Sequence, residues 1–372
     1  MSSVSFKDLA NAHLFDIQPY EPGRPIEEVA RKFGLDPNSV IKLASNENPL
    51  GPSPKALAAM KKALDQAHLY PDGGGYYLRQ GIAKHLGVEM ENIILGNGSN
   101  EIVEFLAHAF LKPGDNLVCG DRAFVVYLLV GKQFDNRVIE VPFTHHAHDL
   151  DAMLKAITPK TKLVFVANPN NPTGTRVSNE ELDRFMKRVP DHVIAVLDEA
   201  YYEFLDDPPD SLRYVKSGKP KTVLMRTFSK IVGLAGLRLG YAIAPKECID
   251  ILQKARQPFN ANSIAQAGAL ASLDDHEHIE RTRKLNREGL KFLQSQFKAM
   301  KLEFVPSAAN FVLVNVGDGG KVTHNLQRRG IIVRPMAGYK MPEWIRVTVG
   351  TREQNERFLG ALQKELASTH GS

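Results

Sequence analysis

One short stretch of the sequence, residues 227–241, places a lysine beside two hydroxyl side chains and ends near an arginine among glycines. It reads TFSKIVGLAGLRLGY, with Lys230 and Arg238 eight residues apart in otherwise small and apolar surroundings. Burying two cations is costly unless each is paired or used. A lysine that works as an amine, beside an arginine that holds an anion, would give both a use. The stretch therefore predicts a partly buried site for an anionic small molecule.

A glycine-rich turn offers further contacts to that anion. In LGNGSNE a strand is expected to end at Leu95 and a helix to begin near Ser99. The free N–H groups of Ser99 and Asn100 would then open toward a phosphate, helped by the helix dipole. No Gly-Lys-Ser/Thr follows, so the turn is not a Walker loop. Taken alone, such a turn is more often ordinary turn chemistry.

Two more motifs place polar side chains at expected strand ends. In VANPNNPTG, Asn171 lies between Asn170 and Pro172 and would project a rigid amide, although an ordinary loop is the alternative. In VIAVLDEAYYEF, Asp198 ends a hydrophobic strand and Tyr201 follows three residues later. A desolvated carboxylate there needs a cation. A generic active-site acid or a metal ligand is the other interpretation, but no histidine is placed beside it.

The elements that must position these residues follow an alternating pattern. Short β-branched runs alternate with amphipathic stretches, which predicts βαβ units and a largely parallel sheet covered by helices on both faces. In such sheets ligands bind at the carboxyl ends of the strands. SNEE at 178–181 predicts a capping box at a helix start. The strand candidates are NIILG, DNLVCG, RVIEVPF, TKLVFVA, HVIAVLDE, KTVLMRT and RLGYAIA.

After residue 260 the pattern changes to a long charged helix followed by short strands. We therefore predict an α/β fold with a large domain, built on a mainly parallel seven-stranded sheet flanked by helices, and a smaller α+β domain. The expected division is 1–40 for an N-terminal arm or part of the small domain, 41–270 for the large domain and 271–372 for the small C-terminal domain.

Bulk composition excludes several classes of function. The 372 residues are 43% hydrophobic, and the net charge of +5 is scattered, without the basic block that marks nucleic-acid binding. The longest apolar run, AFVVYLLV, is too short to span a bilayer. Two cysteines without metal-ligand spacing and no secretion signal favour a reduced, cytoplasmic protein. The histidine clusters THHAHD and DDHEH are expected to be solvated segments, and no metal site is predicted.

The combination of motifs is more specific than its parts. Five residues arrive in order near strand ends and resemble the aspartate aminotransferase-like superfamily of fold type I pyridoxal phosphate enzymes: Asn171, Asp198, Tyr201, Lys230 and Arg238. SNENPLGPSP, GNGSNE, NPNNPTG, DEAYYEF and WIRVTVGTREQN look like the histidinol-phosphate aminotransferase branch, class II. The resemblance runs from about Tyr20 to Glu353.

The resemblance implies a role for each motif. Lys230 would bind pyridoxal 5′-phosphate covalently and then act as general base. Asp198 would pair with the pyridine nitrogen, while Asn171 and Tyr201 would hydrogen-bond the 3′ oxygen. The residues implied around the phosphate are Ser99, Asn100, Thr227, Ser229 and Arg238. Phe124 would stack on the cofactor ring, although core packing is as good an account.

The resemblance also implies a homodimer and a substrate pocket. Tyr70 would reach the phosphate of the neighbouring subunit, so that two chains share their sites. Arg334 and Arg346 would hold anionic groups of the substrate, since paired guanidinium groups suit a phosphate monoester. Asn310 would line the pocket or form a structural hydrogen bond. Tyr20 and Asn46 complete the substrate set.

The implied activity is transamination of L-histidinol phosphate with 2-oxoglutarate, giving imidazole acetol phosphate and glutamate in histidine biosynthesis. An aromatic amino acid aminotransferase is the nearest alternative, and a threonine-phosphate decarboxylase is a third. A regulator that has lost catalysis would need room for a DNA-binding domain before SNENP, and a dehydrogenase would need an early G-x-G-x-x-G. The sequence contains neither.

Overall fold

The computed structural model describes residues 4–370, and its strands form one large and two small sheets. The strands of the described residues are β1 (Ile41–Lys42), β2 (Ile93–Gly96), β3 (Asn116–Gly120), β4 (Arg137–Val141), β5 (Thr161–Ala167), β6 (Ile194–Asp198), β7 (Thr222–Thr227), β8 (Gly240–Ile243), β9 (Phe304–Val305), β10 (Phe311–Asn315), β11 (Ile331–Ile332), β12 (Arg334–Pro335) and β13 (Trp344–Thr348). Each sequence run predicted as a strand of the large sheet forms one.

The α-helices of the described residues mostly follow the strands. They are α1 (Phe6–Leu9), α2 (Ile26–Phe33), α3 (Pro54–Ala63), α4 (Tyr76–Leu86), α5 (Ser99–Phe110), α6 (Val126–Gln133), α7 (Leu150–Ala156), α8 (Asn179–Met186), α9 (Leu212–Ser217), α10 (Lys246–Ala255), α11 (Ser263–Ser272), α12 (His276–Ala299), α13 (Gly319–Arg328) and α14 (Arg352–His370). The capping box predicted at Ser178 starts α8, where the Ser178 hydroxyl accepts from the Glu181 N–H. No helix among residues 4–370 is long and apolar enough to cross a bilayer.

The large sheet has the strand order β2-β8-β7-β6-β5-β3-β4. The strands from β4 to β7 pair in parallel, and β8 alone runs against its neighbours β2 and β7. The mainly parallel seven-stranded sheet is therefore confirmed. Because the other six strands run the same way, their carboxyl ends share one edge of the sheet, and the start of β8 lies at that edge as well.

The large sheet is covered on both faces, as its continuous apolar runs require. Alternate side chains of β5 enter different hydrophobic clusters: Val164 and Val166 pack on one face, and Leu163 and Phe165 on the other. This alternation follows from the two-residue repeat of a strand. The result is a rigid layer between helices, from which loops project at the carboxyl edge.

A second, four-stranded antiparallel sheet has the order β12-β13-β10-β9 and packs against α12, α13 and α14. A short parallel pair joins β1 to β11, so residues 41–42 lie against the C-terminal part of the chain. The division at residues 40 and 270 remains our proposal for the domain boundaries. Its outermost parts, residues 1–3 and 371–372, lie outside the described residues.

The expectation of solvated histidine segments is wrong for His148 and His278, although His145 and His276 are exposed as expected. His148 is buried against the ring of Phe143, and burial lowers its pKa to about 4. Asp275 and His278 are buried at the start of α12, where Asp275 accepts from the His278 N–H and from the hydroxyl of Ser53. Tertiary packing covers polar segments that local sequence composition marks as exposed.

Candidate active site

The carboxyl edge of the large sheet forms one wall of a cavity of about 260 Å³. The loops after β2, β3, β5, β6 and β7 reach it, and β12 and β13 of the smaller sheet close it from the other side. Fourteen of the sixteen predicted site residues line this cavity: Tyr20, Asn46, Ser99, Asn100, Phe124, Asn171, Asp198, Tyr201, Thr227, Ser229, Lys230, Arg238, Arg334 and Arg346.

Lys230 lies three residues beyond the end of β7 with its amine buried in the cavity. The Nζ atom donates to the carbonyl of Ser45 at 3.3 Å and lies 5.8 Å from the centre of the Tyr201 ring. Burial, followed by the positive charge of Arg346, lowers the pKa of Lys230 to about 8. At pH 7 about a tenth of the amine is therefore neutral, far more than at the ordinary pKa of a lysine, and the neutral form is the one that a nucleophile or a general base requires.

Asp198 is the last residue of β6, and its carboxyl group is fully buried. The Tyr127 hydroxyl donates to Oδ2 at 2.5 Å, and the Ala200 N–H donates to Oδ1 at 3.1 Å. Burial raises the pKa of Asp198, while these two hydrogen bonds oppose that rise. Both donors are neutral, so the carboxylate offers its charge to a cationic partner in the cavity.

A hydrogen-bond network holds Tyr201 and Asn171 at the cavity wall. Asn46 donates through Nδ2 to the Tyr201 hydroxyl at 2.8 Å, and Arg346 donates to the side-chain oxygen of Asn171. The Asn171 Nδ2 group and the Tyr201 O–H are thereby left as donors. Both can meet one acceptor oxygen of a ligand, which is the geometry expected of a contact to a ring oxygen.

The anion end of the cavity lies where α5 begins. Gly98, with φ +77°, precedes this helix, and a Cβ there would lie 2.3 Å from Arg238 Nη2. A Cβ on Gly240 would lie 2.6 Å from the backbone nitrogen of Ser99. Arg238 itself adopts φ +54° and donates to the Ser229 hydroxyl at 3.4 Å. A strained arginine packed against a helix N-terminus forms a cradle for a phosphate.

Two arginines form the opposite end of the cavity. Arg346 is buried and donates to the Ala44 carbonyl at 2.8 Å, while its Nε has no hydrogen-bond partner. Arg334 donates to the carbonyl of Glu21 at 2.7 Å and lies 5.6 Å from the centre of the Tyr20 ring. Burial lowers the pKa of Arg346, but a guanidinium stays protonated at physiological pH. The two cations make this end a second anion site.

Two predicted site residues do not line this cavity. Tyr70 is 82% exposed and stacks on Phe259 with the ring centres 4.8 Å apart. Asn310 lies beneath the wall, where it donates to the Asn46 carbonyl at 3.0 Å. Of the two roles considered for Asn310, this contact supports the structural one.

The cavity fits the pyridoxal phosphate that the sequence resemblance implies. A phosphate cradle, a buried carboxylate and a buried amine of lowered pKa occupy separate parts of one wall. These match the phosphate, the basic ring nitrogen and the aldehyde of that cofactor. Among the described residues, no group of three or more His, Cys, Asp or Glu side chains could hold a metal ion.

Comparison with known proteins agrees with this geometry. The family model for aminotransferase class I and II matches residues 38–362. The chain belongs to this family. The matched range contains every strand of the large sheet as well as β12 and β13, which carry Arg334 and Arg346.

Two relatives that match this aminotransferase over nearly its full length carry the same name. The histidinol-phosphate aminotransferase of Akkermansia muciniphila is 48% identical over 364 residues, covering 98% of this chain and all of the relative. That of Moorella thermoacetica is 48% identical over 357 residues, covering 95% and 92%. A Sinorhizobium meliloti structure described as histidinol-phosphate aminotransferase in complex with pyridoxal 5′-phosphate superposes with TM-score 0.87 at 26% identity, over 99% of both chains. Fold type I is thereby confirmed.

Sequence reasoning missed three features of this aminotransferase. Tyr127 is the donor to Asp198, Tyr339 lines the cavity, and the Ser45 carbonyl holds the Lys230 amine. Tyr127 had a signal, because a tyrosine inside the apolar run AFVVYLLV needs a partner for its hydroxyl. The sequence gives no comparable signal for Tyr339 or for the Ser45 carbonyl, because neither residue lies in an apolar run where a polar group would need a partner.

Proposed function

We propose that the protein transfers the amino group of L-histidinol phosphate to 2-oxoglutarate, with pyridoxal phosphate as its cofactor, in histidine biosynthesis. The observation that supports this proposal most directly is that Arg334 and Arg346 line the same cavity as Lys230 and Asp198. This arrangement gives an amino phosphate ester two guanidinium partners beside the reacting amine. The full-length relatives named histidinol-phosphate aminotransferase support the same substrate.

The chain's own residues would divide the work of the reaction. The cofactor, when bound, supplies a ring that accepts electrons from the substrate carbon carrying the amino group. Asp198 would keep the ring nitrogen protonated, because its buried charge favours a cation beside it. Lys230 would hold the cofactor covalently and then move a proton at the substrate carbon. Asn171 and Tyr201 would orient the ring through its oxygen.

The phosphate of the cofactor and the anion of the substrate would bind at opposite ends. Ser99, Ser229 and Arg238 would hold the former at the start of α5. Arg346 would bind the anionic group of either substrate, and Arg334 would complete the contact to a phosphate ester. The second half of the reaction uses a dicarboxylic acid, which the same cations can accept.

A substrate panel tests this proposal. The purified, cofactor-loaded protein would be offered histidinol phosphate, phenylalanine, tyrosine and phosphothreonine, with 2-oxoglutarate as acceptor. We expect kcat/KM for histidinol phosphate to exceed that for phenylalanine by at least about tenfold, through the additional charge-assisted contacts. A preference for phenylalanine would establish the aromatic aminotransferase instead. Release of carbon dioxide from phosphothreonine without an acceptor would establish the decarboxylase.

Covalent attachment of the cofactor is tested separately from substrate preference. Borohydride reduction followed by mass spectrometry should find the cofactor on Lys230, and Lys230→Ala should carry none. A label at another lysine would contradict the role proposed for Lys230. Lys221→Ala is the matched control and should keep the label on Lys230, because Lys221 lies just before β7 and its Nζ donates to the Asp191 carbonyl at the surface.

We propose that two copies of the chain form a homodimer in which Tyr70 reaches the partner's site. Tyr70 belongs to a segment of the sequence with several exposed apolar side chains, and an exposed apolar surface marks an interaction site. Phe259, which stacks on Tyr70, has φ +57°, a strained conformation for a bulky side chain. The other exposed apolar residues of this region are Leu64, Leu69, Tyr76 and Tyr77.

The shared site has a specific test. Tyr70→Ala and Lys230→Ala variants would each be weakly active or inactive alone. Mixed after brief denaturation and refolding, they should regain activity, because a mixed dimer contains one site with both native residues. Sedimentation would report the dimer directly. A monomer that is fully active would contradict the proposal.

We also propose that the protein acts in the cytoplasm. Cys119 and Cys248 are both free thiols, which suits a reducing compartment. Fractionation of cells that express the chain should recover its aminotransferase activity with the cytoplasmic enzymes. Recovery from the periplasm would contradict this proposal.

A further inference from the structure

Four aromatic rings line the cavity, and the proposed function uses two of them. Phe124 is the predicted partner of the cofactor ring, and the Tyr201 hydroxyl contacts Asn46 beside Lys230. The Arg334 guanidinium lies over the Tyr20 ring, and Tyr20 is 54% exposed at the mouth of the cavity. The fourth ring, Tyr339, has no role in the mechanism described so far.

Tyr339 is fixed in place from two sides. It ends a short 3₁₀ helix, Ala337–Tyr339, directly after β12, and its ring packs on a cluster of buried residues from the smaller sheet. On its other side Tyr339 borders Phe124 and Val125, which line a second, smaller cavity together with it. The following residue, Lys340, pairs with Glu140 of β4 at 3.2 Å. The turn thus bridges the smaller sheet and the large one.

This packing decides which part of Tyr339 a ligand can meet. The buried cluster of the smaller sheet covers one side of the ring, and the side that lines the cavity is the surface that a ligand can contact. An immobile aromatic face contributes contact area at little entropic cost and favours another flat ring, in stacked or edge-to-face geometry. Tyr339 lines the same cavity as Arg334 and Arg346, and the positive charges of both guanidinium groups act on its hydroxyl. The ring therefore stands beside the anion site.

The donor of the proposed function has two branches on its reacting carbon. One branch ends in a phosphate and the other in an imidazole. With the phosphate held by the arginines, the imidazole must lie along the uncharged wall beside them. We propose that Tyr339 is the specificity-determining residue against which the planar side chain of the amino donor packs. This inference rests on the proposed function for the identity of the donor.

Glutamate provides a built-in comparison, because it reacts at the same site and has no ring. In Tyr339→Leu, the packed volume stays apolar while the aromatic face is lost. We expect the ratio of kcat/KM for histidinol phosphate to that for glutamate to fall about tenfold, the scale of one aromatic contact. Each half-reaction would be followed separately, by conversion of the bound cofactor to its amino form.

Tyr339→Phe removes the hydroxyl and keeps the aromatic ring, so it separates the contributions of the two groups. This variant should keep the ratio within about threefold of the wild-type value, because the aromatic face remains. An equal fall for both donors in Tyr339→Leu would overturn the inference, as it would show a purely structural role. A fall in Tyr339→Phe as large as that in Tyr339→Leu would overturn it too, since the hydroxyl would then be the recognising group.

The test stays informative if the proposed substrate is wrong. A wild-type preference for phenylalanine would remove histidinol phosphate as the physiological donor. The ratio of phenylalanine to glutamate would then be measured in the same variants, because phenylalanine also carries a flat ring. Failure of the proposed function and failure of this inference are therefore separate outcomes.

Discussion

Arg334 and Arg346 stand directly opposite each other on the adjacent antiparallel strands β12 and β13. Like charges at directly opposed positions destabilise a sheet. Their environments differ, because Arg346 is buried and held by Ala44 and Asn171, while Arg334 is partly exposed beside Tyr20. The arrangement places one fixed and one more accessible cation around a single anion site.

This pairing predicts that Arg334 distinguishes phosphate donors from other amino acids. In Arg334→Ala, kcat/KM for histidinol phosphate should fall about 100-fold, because a charge-assisted contact contributes roughly 1.5–3 kcal/mol. The value for phenylalanine should change less than about threefold. Arg334→Lys is the matched control and should restore part of the loss, since a lysine keeps the charge without the bidentate fork. Equal losses for both donors would argue against phosphate recognition.

The hydrogen bond from Tyr127 to Asp198 predicts that Tyr127, which does not line the cavity itself, affects the catalytic rate. In Tyr127→Phe, kcat should fall about tenfold or more, because a buried carboxylate that loses a donor is harder to keep ionised. Affinity for the cofactor should fall as well, measured by the absorbance of the loaded protein. Tyr214→Phe serves as the control, since Tyr214 also donates to an aspartate, Asp183, away from the cavity. Unchanged activity in Tyr127→Phe would rule out the positioning role.

The lowered pKa of Lys230 predicts how the stability of the cofactor-free protein depends on pH. The folded pKa is about 8 and the unfolded one about 10.5, so the unfolded chain binds more protons between these values. Stability should therefore rise with pH in that window, by up to about 1.4 kcal/mol per unit. Below pH 8 this contribution is flat, because both states are protonated.

Subtracting a variant isolates the Lys230 contribution from other groups. Urea unfolding of wild type and Lys230→Met would be compared from pH 7 to 10, and the difference in unfolding free energy should change across the window. The rate at which added cofactor attaches to Lys230 should also rise with pH, reach half of its maximum near pH 8 and level off above about pH 9, as the neutral amine accumulates. A pH-independent difference in stability would contradict the lowered pKa.

The buried pair of Glu199 and Arg226 predicts a large effect on stability. Arg226 Nε donates to Glu199 Oε2 at 2.9 Å, and the two residues are the chain neighbours of Thr227 and Asp198 at the ends of β7 and β6. Arg226→Met should cost about 3–5 kcal/mol, because it leaves a buried carboxylate unpaired. Adding Glu199→Leu should recover much of that loss.

Urea unfolding measures both variants of this pair. Lys246→Met, which breaks an exposed ion pair with Asp250, is the control and should cost less than about 1 kcal/mol. A double variant no more stable than Arg226→Met alone would show that the loss comes from packing rather than from the unpaired charge.

Much of the fold could be read from local patterns. The runs TKLVFVA and HVIAVLDE predict buried parallel strands because both faces of such strands are apolar. In the structure β6 is buried throughout, and β5 is buried at every position except Lys162. The order of the seven strands in the sheet could not be predicted from the sequence, because strand pairing depends on contacts between distant segments. His148 was misjudged for the same reason, since its cover comes from parts of the chain that local composition does not describe.

Local patterns in the sequence were enough to predict where the strands end, and with them the site residues Asn171, Asp198, Tyr201, Lys230 and Arg238, because hydrophobic periodicity and motif spacing are local properties. The tertiary structure alone decided that the Tyr127 hydroxyl, 71 positions away, meets Asp198, and that Arg334 faces Arg346 across two strands. It also decided that Asn310 lies under the wall while Tyr339 stands in it. These relationships arise from packing between distant segments, and residue order alone does not encode distance in space.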